Sequence, residues 1–478
     1  MIEAVNAYPT APLALILWVP ATFALFSSFP PYRAAFLSLL IAALVLPVAY
    51  SWDLRGIMPL DKSTIPLLSS IVACAFVAPA EFRHLRLNGA TLMLIAVIAI
   101  GPVITASTNG DPYSVGGTDM PALTTWDGVA IFRGLAISVI MPFLLGRMLL
   151  RNVSQLESLL RPMVAAFLIY SLAMLYEIRM SPQLHTTLYG YFPHSFAQQA
   201  RSGGFRPVVF VGHGLPLAII TSFAVLASAI LWRRGRRVRN LPPAWVTLYL
   251  GAVVVLCKTF SAMVYAGLGT VVMFFGSART QARIALLIAC LVLAYPLLRA
   301  FDLFPTTILT ELSDSASTER SESLAFRFEN EDRLLEHARA RPLFGWGSYG
   351  RNRVFDEEGM DISVTDGLWI ILLGEVGAVG FLGVFGLMLL PVFQTRRALR
   401  NVGSESDRRL IASFALLVAL NCADSLPNAN SGGTLMIFLT GAFSGVVTAY
   451  QRPRPKPREP EKPAAPGIGS FGSLEPIR

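Results

Sequence analysis

Long apolar segments recur along this chain, and they constrain its fold more than any other feature of the sequence. Hydrophobic windows of about 17 to 25 residues, the length that crosses a hydrocarbon core as a helix, follow one another up to residue 450. Only 14% of the 478 residues are charged, whereas soluble domains carry about 25%. Because an open sheet would leave backbone groups unpaired in lipid, the sequence predicts an all-α, polytopic transmembrane bundle.

The apolar windows delimit about thirteen candidate spans, of which the pair that flanks Lys258 is the least well separated. They lie near 11–29, 34–50, 63–80, 90–106, 129–150, 163–178, 207–231, 243–257, 259–276, 284–301, 364–393, 409–427 and 432–450. Arginine-rich loops at 83–86, 233–239, 279–283 and 395–400 share one side, which the positive-inside rule assigns to the cytoplasm. With thirteen spans the chain starts outside the cytoplasm and ends inside it, whereas twelve spans would place the N-terminus in the cytoplasm.

Charge and composition divide the chain into a membrane domain, 1–450, and a tail, 451–478. The tail is rich in proline, glycine and charge, so we expect it to be disordered in the cytoplasm. The net charge of +9 comes from arginines in the short loops, and these do not form a basic patch interleaved with exposed aromatics. No nucleic-acid partner is therefore expected. The four cysteines lack paired spacing, so neither a disulfide framework nor a metal site is expected.

The segment 302–363 is the largest outward loop, and it contains thirteen acids, seven arginines and no lysine. Loops of this size are usually functional or disordered. Its residues 321–341 contain no glycine or proline, and apolar side chains recur at helical spacing. The stripe consists of Leu324, Phe328, Leu335 and Ala338. We therefore expect an amphipathic helix on the outer membrane face, ended by Pro342.

Two outward arginines, Arg201 and Arg206, flank a glycine pair just before the span 207–231. Planar guanidinium groups over a flexible backbone suit a phosphate, although an arginine pair can also simply snorkel to the interface. His213 falls inside the predicted span. An ionisable group there is a functional candidate, and the alternative is a neutral packing histidine.

The large loop adds Arg327, Glu331 and His337 on the predicted helix, where a solvated charged face is the alternative interpretation. The loop then closes with Gly345, Trp346 and Gly347. Glycines on both sides permit a tight turn and tryptophan favours the headgroup level, so this turn is expected to return the chain to the bilayer surface.

Carboxylates follow at outward ends of later spans. Asp366 lies at the mouth of the next span, where it can act as a general base or cap the helix N-terminus. Glu375 lies deeper and needs a buried partner or a wet cavity, and Asp424 lies near another outer end. The sequence leaves the roles of Glu375 and Asp424 open.

These segments resemble, in their order, the signature of the O-antigen ligase and polymerase superfamily. The matching stretches are ARSGGFRP (200–207), a helix carrying Arg327, RPLFGWGSYG (341–350) and GLWIILLGEVGAVGFLGVFG (367–386). The resemblance covers about residues 200–400 well and the rest only as a pattern of spans.

The resemblance implies a GT-C-like glycosyltransferase in the bacterial inner membrane that faces the periplasm and uses no metal or other cofactor. Its partners would be the bilayer and an undecaprenyl-pyrophosphate-linked oligosaccharide, and binding of a chain-length regulator stays open. By this resemblance Arg201, Arg206 and Arg327 would bind the pyrophosphate. Asp366 would be the catalytic base, with His337 as a second candidate, and Gly345, Trp346, Gly347, Glu331 and His213 would support them.

The ligases of this superfamily usually carry a histidine just before the span that follows the loop, where this chain has Asp366. The departure favours a polymerase of exopolysaccharide, capsule or O-antigen repeat units over a ligase that transfers glycan to lipid A-core. A third hypothesis is a non-catalytic transporter of lipid-linked glycan. Transport requires a polar path through the membrane, and the sequence offers no matching broken helices in two halves.

Overall fold

A computed structural model describes residues 7–53, 58–201, 203–314, 318–429 and 433–451. The predicted tail after residue 451 lies outside the described residues. The described helices are α1 (Thr10–Ser28), α2 (Pro31–Val45), α3 (Thr64–Val77), α4 (Gly89–Ser107), α5 (Thr125–Leu135), α6 (Met141–Leu149), α7 (Val153–Met180), α8 (Leu184–Tyr189), α9 (Gly214–Arg233), α10 (Pro243–Leu256), α11 (Phe260–Phe275), α12 (Ala278–Ala300), α13 (Thr306–Asp314), α14 (Thr318–Arg339), α15 (Leu368–Arg400), α16 (Glu405–Asp424) and α17 (Gly433–Gln451). Strands pair antiparallel as β1 (Ser51–Trp52) with β2 (Leu60–Asp61), β3 (Tyr113–Val115) with β4 (Thr118–Met120), and β5 (Ala200–Arg201) with β6 (Gly204–Phe205).

Short helical turns of other kinds complete the described elements. Two 3₁₀ helices lie at Pro79–His84 and Ala197–Gln199. A π-helical turn, Ala136–Ile140, joins α5 to α6, so that these two helices form one continuous rod.

Eight of the described helices are long and apolar enough to cross a membrane. They are α1, α4, the joined α5 and α6, α7, α9, α12, α15 and α17. The apolar helices α2, α3, α10 and α11 are shorter, with 14 to 16 residues, or about 21–24 Å against a hydrocarbon core of about 30 Å. The architecture is that of a mostly helical, multi-pass membrane protein, and the count of twelve or thirteen spans stays a prediction.

Ion pairs gather several basic loops at one end of the bundle, which we call the basic end. Arg234, just after α9, donates to Glu157 at 2.8 Å and to Asp407 at 3.2 Å. These contacts join the start of α7, the end of α9 and the start of α16, as the charge distribution predicts. Helix α9 therefore begins at the opposite end, which we call the site end because the candidate residues lie there.

Helices α6 and α17 pack with their backbones in direct contact. A side chain at Gly441 would overlap the carbonyl oxygen of Phe143, and one at Gly146 would overlap that of Phe438. Small residues allow helix backbones to approach closely in membranes, where packing replaces the hydrophobic effect as the source of association.

Helix α15 is broken at Gly377, which has φ 67° and ψ −171°. From Ala378 to the basic residue Arg396 the helix extends about 28 Å, close to the thickness of a hydrocarbon core. The break therefore lies near the boundary of the bilayer at the site end. Glu375, expected deeper in the span, lies two residues before the break instead.

The glycine-rich turn 342–347 fills the break in α15. Two of its N–H groups donate to α15 carbonyls, and two of its carbonyls accept from α15 N–H groups. The donor–acceptor pairs are Trp346 to Gly374 (2.7 Å), Gly347 to Glu375 (2.9 Å), Ala378 to Pro342 (2.9 Å) and Val379 to Leu343 (3.1 Å). A broken helix is tolerated at membrane depth when other groups satisfy its backbone. The turn thus does more than return the chain to the surface, because it completes a span.

Side chains near the end of α4 and just after it satisfy two further carbonyls of this turn. The hydroxyl of Thr105 donates to Phe344 at 2.6 Å, and the amide of Asn109 donates to Gly345 at 3.0 Å. The turn is therefore fixed between α4 and α15.

Candidate functional site

The segment that leads into α9 is held by a buried carboxylate that sequence reasoning missed. Glu177, in the last turn of α7, accepts the backbone N–H groups of Val208 and Val209 at 2.7 Å each. Its other oxygen accepts those of Gln183 and Leu184 at 3.1 and 2.9 Å. The available signal was an ionisable residue at the end of an apolar span, which is a functional candidate by default.

Arg201 lies in the hairpin that precedes α9, and Arg206 directly follows its second strand. Arg206 is only 6% exposed, and its Nη2 donates to the carbonyl of Lys258 at 3.1 Å. It is therefore a buried side chain rather than one that snorkels to the interface. Arg201 lies in β5, where its backbone pairs with Gly204, and its side chain lies outside the described part of the chain.

His213 lies just before α9, not inside the span as the sequence predicted. It caps the helix, because its Nδ1 accepts the N–H of Leu215 at 3.1 Å. The Nε2 atom therefore carries the proton and donates to Oε1 of Gln198 at 3.3 Å. The hydrogen bonds define a neutral, capping histidine.

Positive charges surround His213 and connect the two candidate stretches. Burial and the nearby charges of His194, Arg206 and Arg327 together lower the pKa of His213 to about 4, with burial as the largest cause. The ring of His194 lies 4.8 Å from that of His213. Arg206 and Arg327, which are far apart in sequence, are thus close enough to act on the same imidazole.

Arg327 and Asp366 lie together at the site end. The Nε of Arg327 is 3.6 Å from Oδ2 of Asp366, and its Nη1 donates to the carbonyl of Pro427 at 3.2 Å. Their side chains are 27% and 44% exposed, so a ligand can reach both. The N-cap of α15 is Gly367. Asp366 is therefore not the helix cap, and its carboxylate is held by Arg327.

His337 belongs to the glycine-rich turn rather than to the Arg327–Asp366 pair. Its ring stacks on Trp346 at 4.4 Å with 7° between the planes, and its Nε2 donates to the carbonyl of Arg351 at 2.8 Å. Burial lowers the pKa of His337. It lies ten residues after Arg327, about 15 Å along the helix. These contacts assign His337 to the support of the turn.

Glu331 is buried, so the alternative interpretation of a solvated charged face does not hold for this residue. Its carboxylate accepts from Tyr295 at 2.9 Å and Trp369 at 3.2 Å, and it lies 3.3 Å from Arg299. Burial raises the pKa of Glu331, and these three partners oppose that shift only in part. Because Glu331 lies one helical turn after Arg327, this network fixes α14 against α12 and α15 and so positions Arg327.

Asp424 has a supporting role at the end of α16. It is buried and accepts from Nδ2 of Asn428 at 3.1 Å. The loop between them includes Pro427, the acceptor of Arg327. Asp424 therefore shapes the segment that orients the guanidinium.

A titration of His213 tests whether Arg327 lies near α9. Removing the positive charge in Arg327→Gln should raise the pKa of His213 from about 4, because protonation would no longer be opposed by that guanidinium. Histidine-labelled protein and NMR would measure the midpoint. Arg333→Gln, on the same helix, should leave it unchanged, and an unchanged midpoint in Arg327→Gln would contradict the convergence.

No protein-family model and no curated protein matches this chain, so its likeness to the O-antigen ligase and polymerase superfamily is carried by the residues quoted above.

Proposed function

We propose that this chain is a GT-C-like, periplasm-facing glycosyltransferase of the bacterial inner membrane that polymerises oligosaccharide units linked to undecaprenyl pyrophosphate. The observation that carries the proposal is the reachable Arg327–Asp366 pair, 3.6 Å apart at the site end. A carboxylate beside a guanidinium, next to lipid-facing helices, suits the transfer of a sugar from a lipid pyrophosphate to a hydroxyl.

The reaction is a single displacement. Asp366 takes the proton of the acceptor hydroxyl, whose oxygen forms a bond to the anomeric carbon of the donor sugar. The bond from that carbon to the pyrophosphate oxygen breaks on the opposite side, so the configuration inverts. The electron pair leaves with the lipid pyrophosphate.

Fixed positive charge stabilises this leaving group. Arg327 is exposed enough to touch the phosphate oxygens, whereas buried Arg206 contributes its charge from beneath. Arg201 is assigned to the same role from its place in β5. Donors that are held in place before the reaction are worth several kcal/mol, because no reorganisation is needed as charge develops.

Replacing the proposed base tests this function. Asp366→Asn should lower the transfer rate by about 100-fold or more, because an amide cannot accept the proton. Purified full-length protein in liposomes, supplied with lipid-linked repeat units from the producing cells, would be assayed for polymer length. Single units should accumulate on the carrier.

Asp361→Asn is the matched control, because Asp361 is another arginine-paired carboxylate of the same loop. It should leave polymer length unchanged. Full-length polymer from Asp366→Asn would remove Asp366 as the base. Polymer that forms but stays on the carrier in cells lacking this chain would identify a ligase, and glycan translocation without bond formation would identify a transporter.

A further inference from the structure

Two neighbouring cavities open at the site end. The first, of about 440 Å³, lies between the end of α2 and the starts of α3, α9 and α17, and includes Lys62. The second, of about 350 Å³, borders the π-helical turn and the start of α15. We call them the lysine cavity and the π-turn cavity. They share a wall that includes Asp61, Ser63 and Thr434, so a ligand in one adjoins a ligand in the other.

The π-turn cavity adjoins the proposed reaction centre. Leu368 and Ser425 line it, and the N–H of Leu368 donates to the carbonyl of Ser425 at 3.0 Å. Asp366 lies two residues before Leu368. Pro427, whose carbonyl accepts from Arg327, lies two residues after Ser425. Its remaining walls are largely apolar, and π-helical turns occur frequently at functional sites. This cavity suits an apolar chain next to the reacting groups.

The lysine cavity differs in its chemistry. Nζ of Lys62 donates to the carbonyls of Leu46 at 3.2 Å and Phe210 at 2.5 Å. Burial lowers the pKa of Lys62 to about 7, so its protonated form, an ammonium group with three N–H donors, persists up to about neutral pH. Within the described residues these two carbonyls are its hydrogen-bond acceptors, so one N–H is left for an occupant of the cavity. Hydroxyl groups of Ser51 and Thr434 add further polar atoms to the wall.

We infer that the lysine cavity binds the sugar residues of the acceptor substrate. A polyhydroxylated ring both donates and accepts hydrogen bonds, and it is costly to bury such hydroxyls in an apolar site without partners. To the carboxylate and hydroxyl groups of the shared wall, the lysine cavity adds the ammonium group of Lys62 and the hydroxyl of Ser51. The shared wall then presents the acceptor beside the donor at Asp366. This inference rests on the proposed function and adds to it the place and the class of the acceptor.

Two variants of the lysine cavity test the inference. Ser51→Ala removes one hydroxyl that lines the lysine cavity and not the π-turn cavity, so the concentration of lipid-linked repeat units giving the half-maximal rate should rise about fivefold, the effect of one hydrogen bond. Ala43→Phe, on the cavity wall, should fill the space and lower the rate at least about tenfold. Both should bind undecaprenyl diphosphate, the probe for the donor site, with wild-type affinity in native mass spectrometry.

Leu17→Phe is the control for an added aromatic ring, since Leu17 is 61% exposed on α1, and it should behave as wild type. Unchanged kinetics in Ser51→Ala and Ala43→Phe would overturn the inference, as would a parallel loss of undecaprenyl diphosphate binding, which would assign the cavity to the donor. If Asp366→Asn is inactive while both cavity variants act as wild type, the inferred acceptor site is refuted and the proposed function stands. If Asp366→Asn still polymerises, the proposed function itself fails.

Discussion

Arg327→Ala is expected to lower glycan transfer by about 100- to 1000-fold, the cost of removing one preorganised charge donor from a transition state. The guanidinium lies 3.6 Å from the proposed base, and once it is truncated the buried Arg206 is left to stabilise the departing pyrophosphate without a direct contact. Polymer formation by purified protein in liposomes would measure the effect. The lipid-linked unit should remain unreacted.

Arg333→Ala is the matched control, because Arg333 is another arginine of α14 and pairs with Glu329 on the exposed face. It should polymerise as wild type. Arg327→Lys should recover only part of the rate, since lysine keeps the charge but lacks the planar fork. Equal rates for Arg327→Ala and Arg333→Ala would refute the assignment of Arg327 to the leaving group.

Gly345→Ala is expected to destabilise the protein by about 2–4 kcal/mol through strain and lost backbone pairing. Gly345 has φ +70°, and an added Cβ would lie 2.6 Å from the Glu375 carbonyl carbon and 2.7 Å from the Gly377 nitrogen. Both obstacles are backbone atoms, so the turn must withdraw from α15. Thermal unfolding in detergent, followed by tryptophan fluorescence, should show a clearly lower midpoint.

Gly350→Ala separates close approach from backbone conformation. Gly350 has φ +75°, but the nearest atom to an added Cβ lies 3.8 Å away. Its alanine variant should therefore lose only the conformational term, about 1–2 kcal/mol. Equal unfolding midpoints for the two variants would mean that docking of the turn contributes nothing to stability.

Much of the helical layout could be predicted from sequence because apolar run length and loop charge report directly on burial in lipid. Each predicted span has a helix at its place, even where the helix is short. The pairing of Arg327 with Asp366 was also anticipated, since both flank the same turn and span. Their proximity is a consequence of the order of these segments along the chain more than of side-chain geometry.

The break in α15 could not be predicted, because Gly377 lies in a glycine-rich apolar run that reads equally well as a continuous helix with a small-residue face. Its conformation depends on a partner segment that sequence patterns do not reveal. The burial of Glu331 could not be predicted for a similar reason. A charged residue on a polar helix is normally solvated. The buried carboxylate is stabilised by contacts with Tyr295, Trp369 and Arg299, which belong to other helices.

The docking of the turn into α15 also sets an order of assembly during synthesis. The turn at 342–347 is made about thirty residues before the break that it fills, and Thr105 and Asn109 are made earlier still. The turn 342–347 is therefore synthesised before the break at Gly377. The partners of the backbone groups that the break leaves unpaired, including the carbonyls of Gly374 and Glu375, are therefore already present when this helix enters the bilayer.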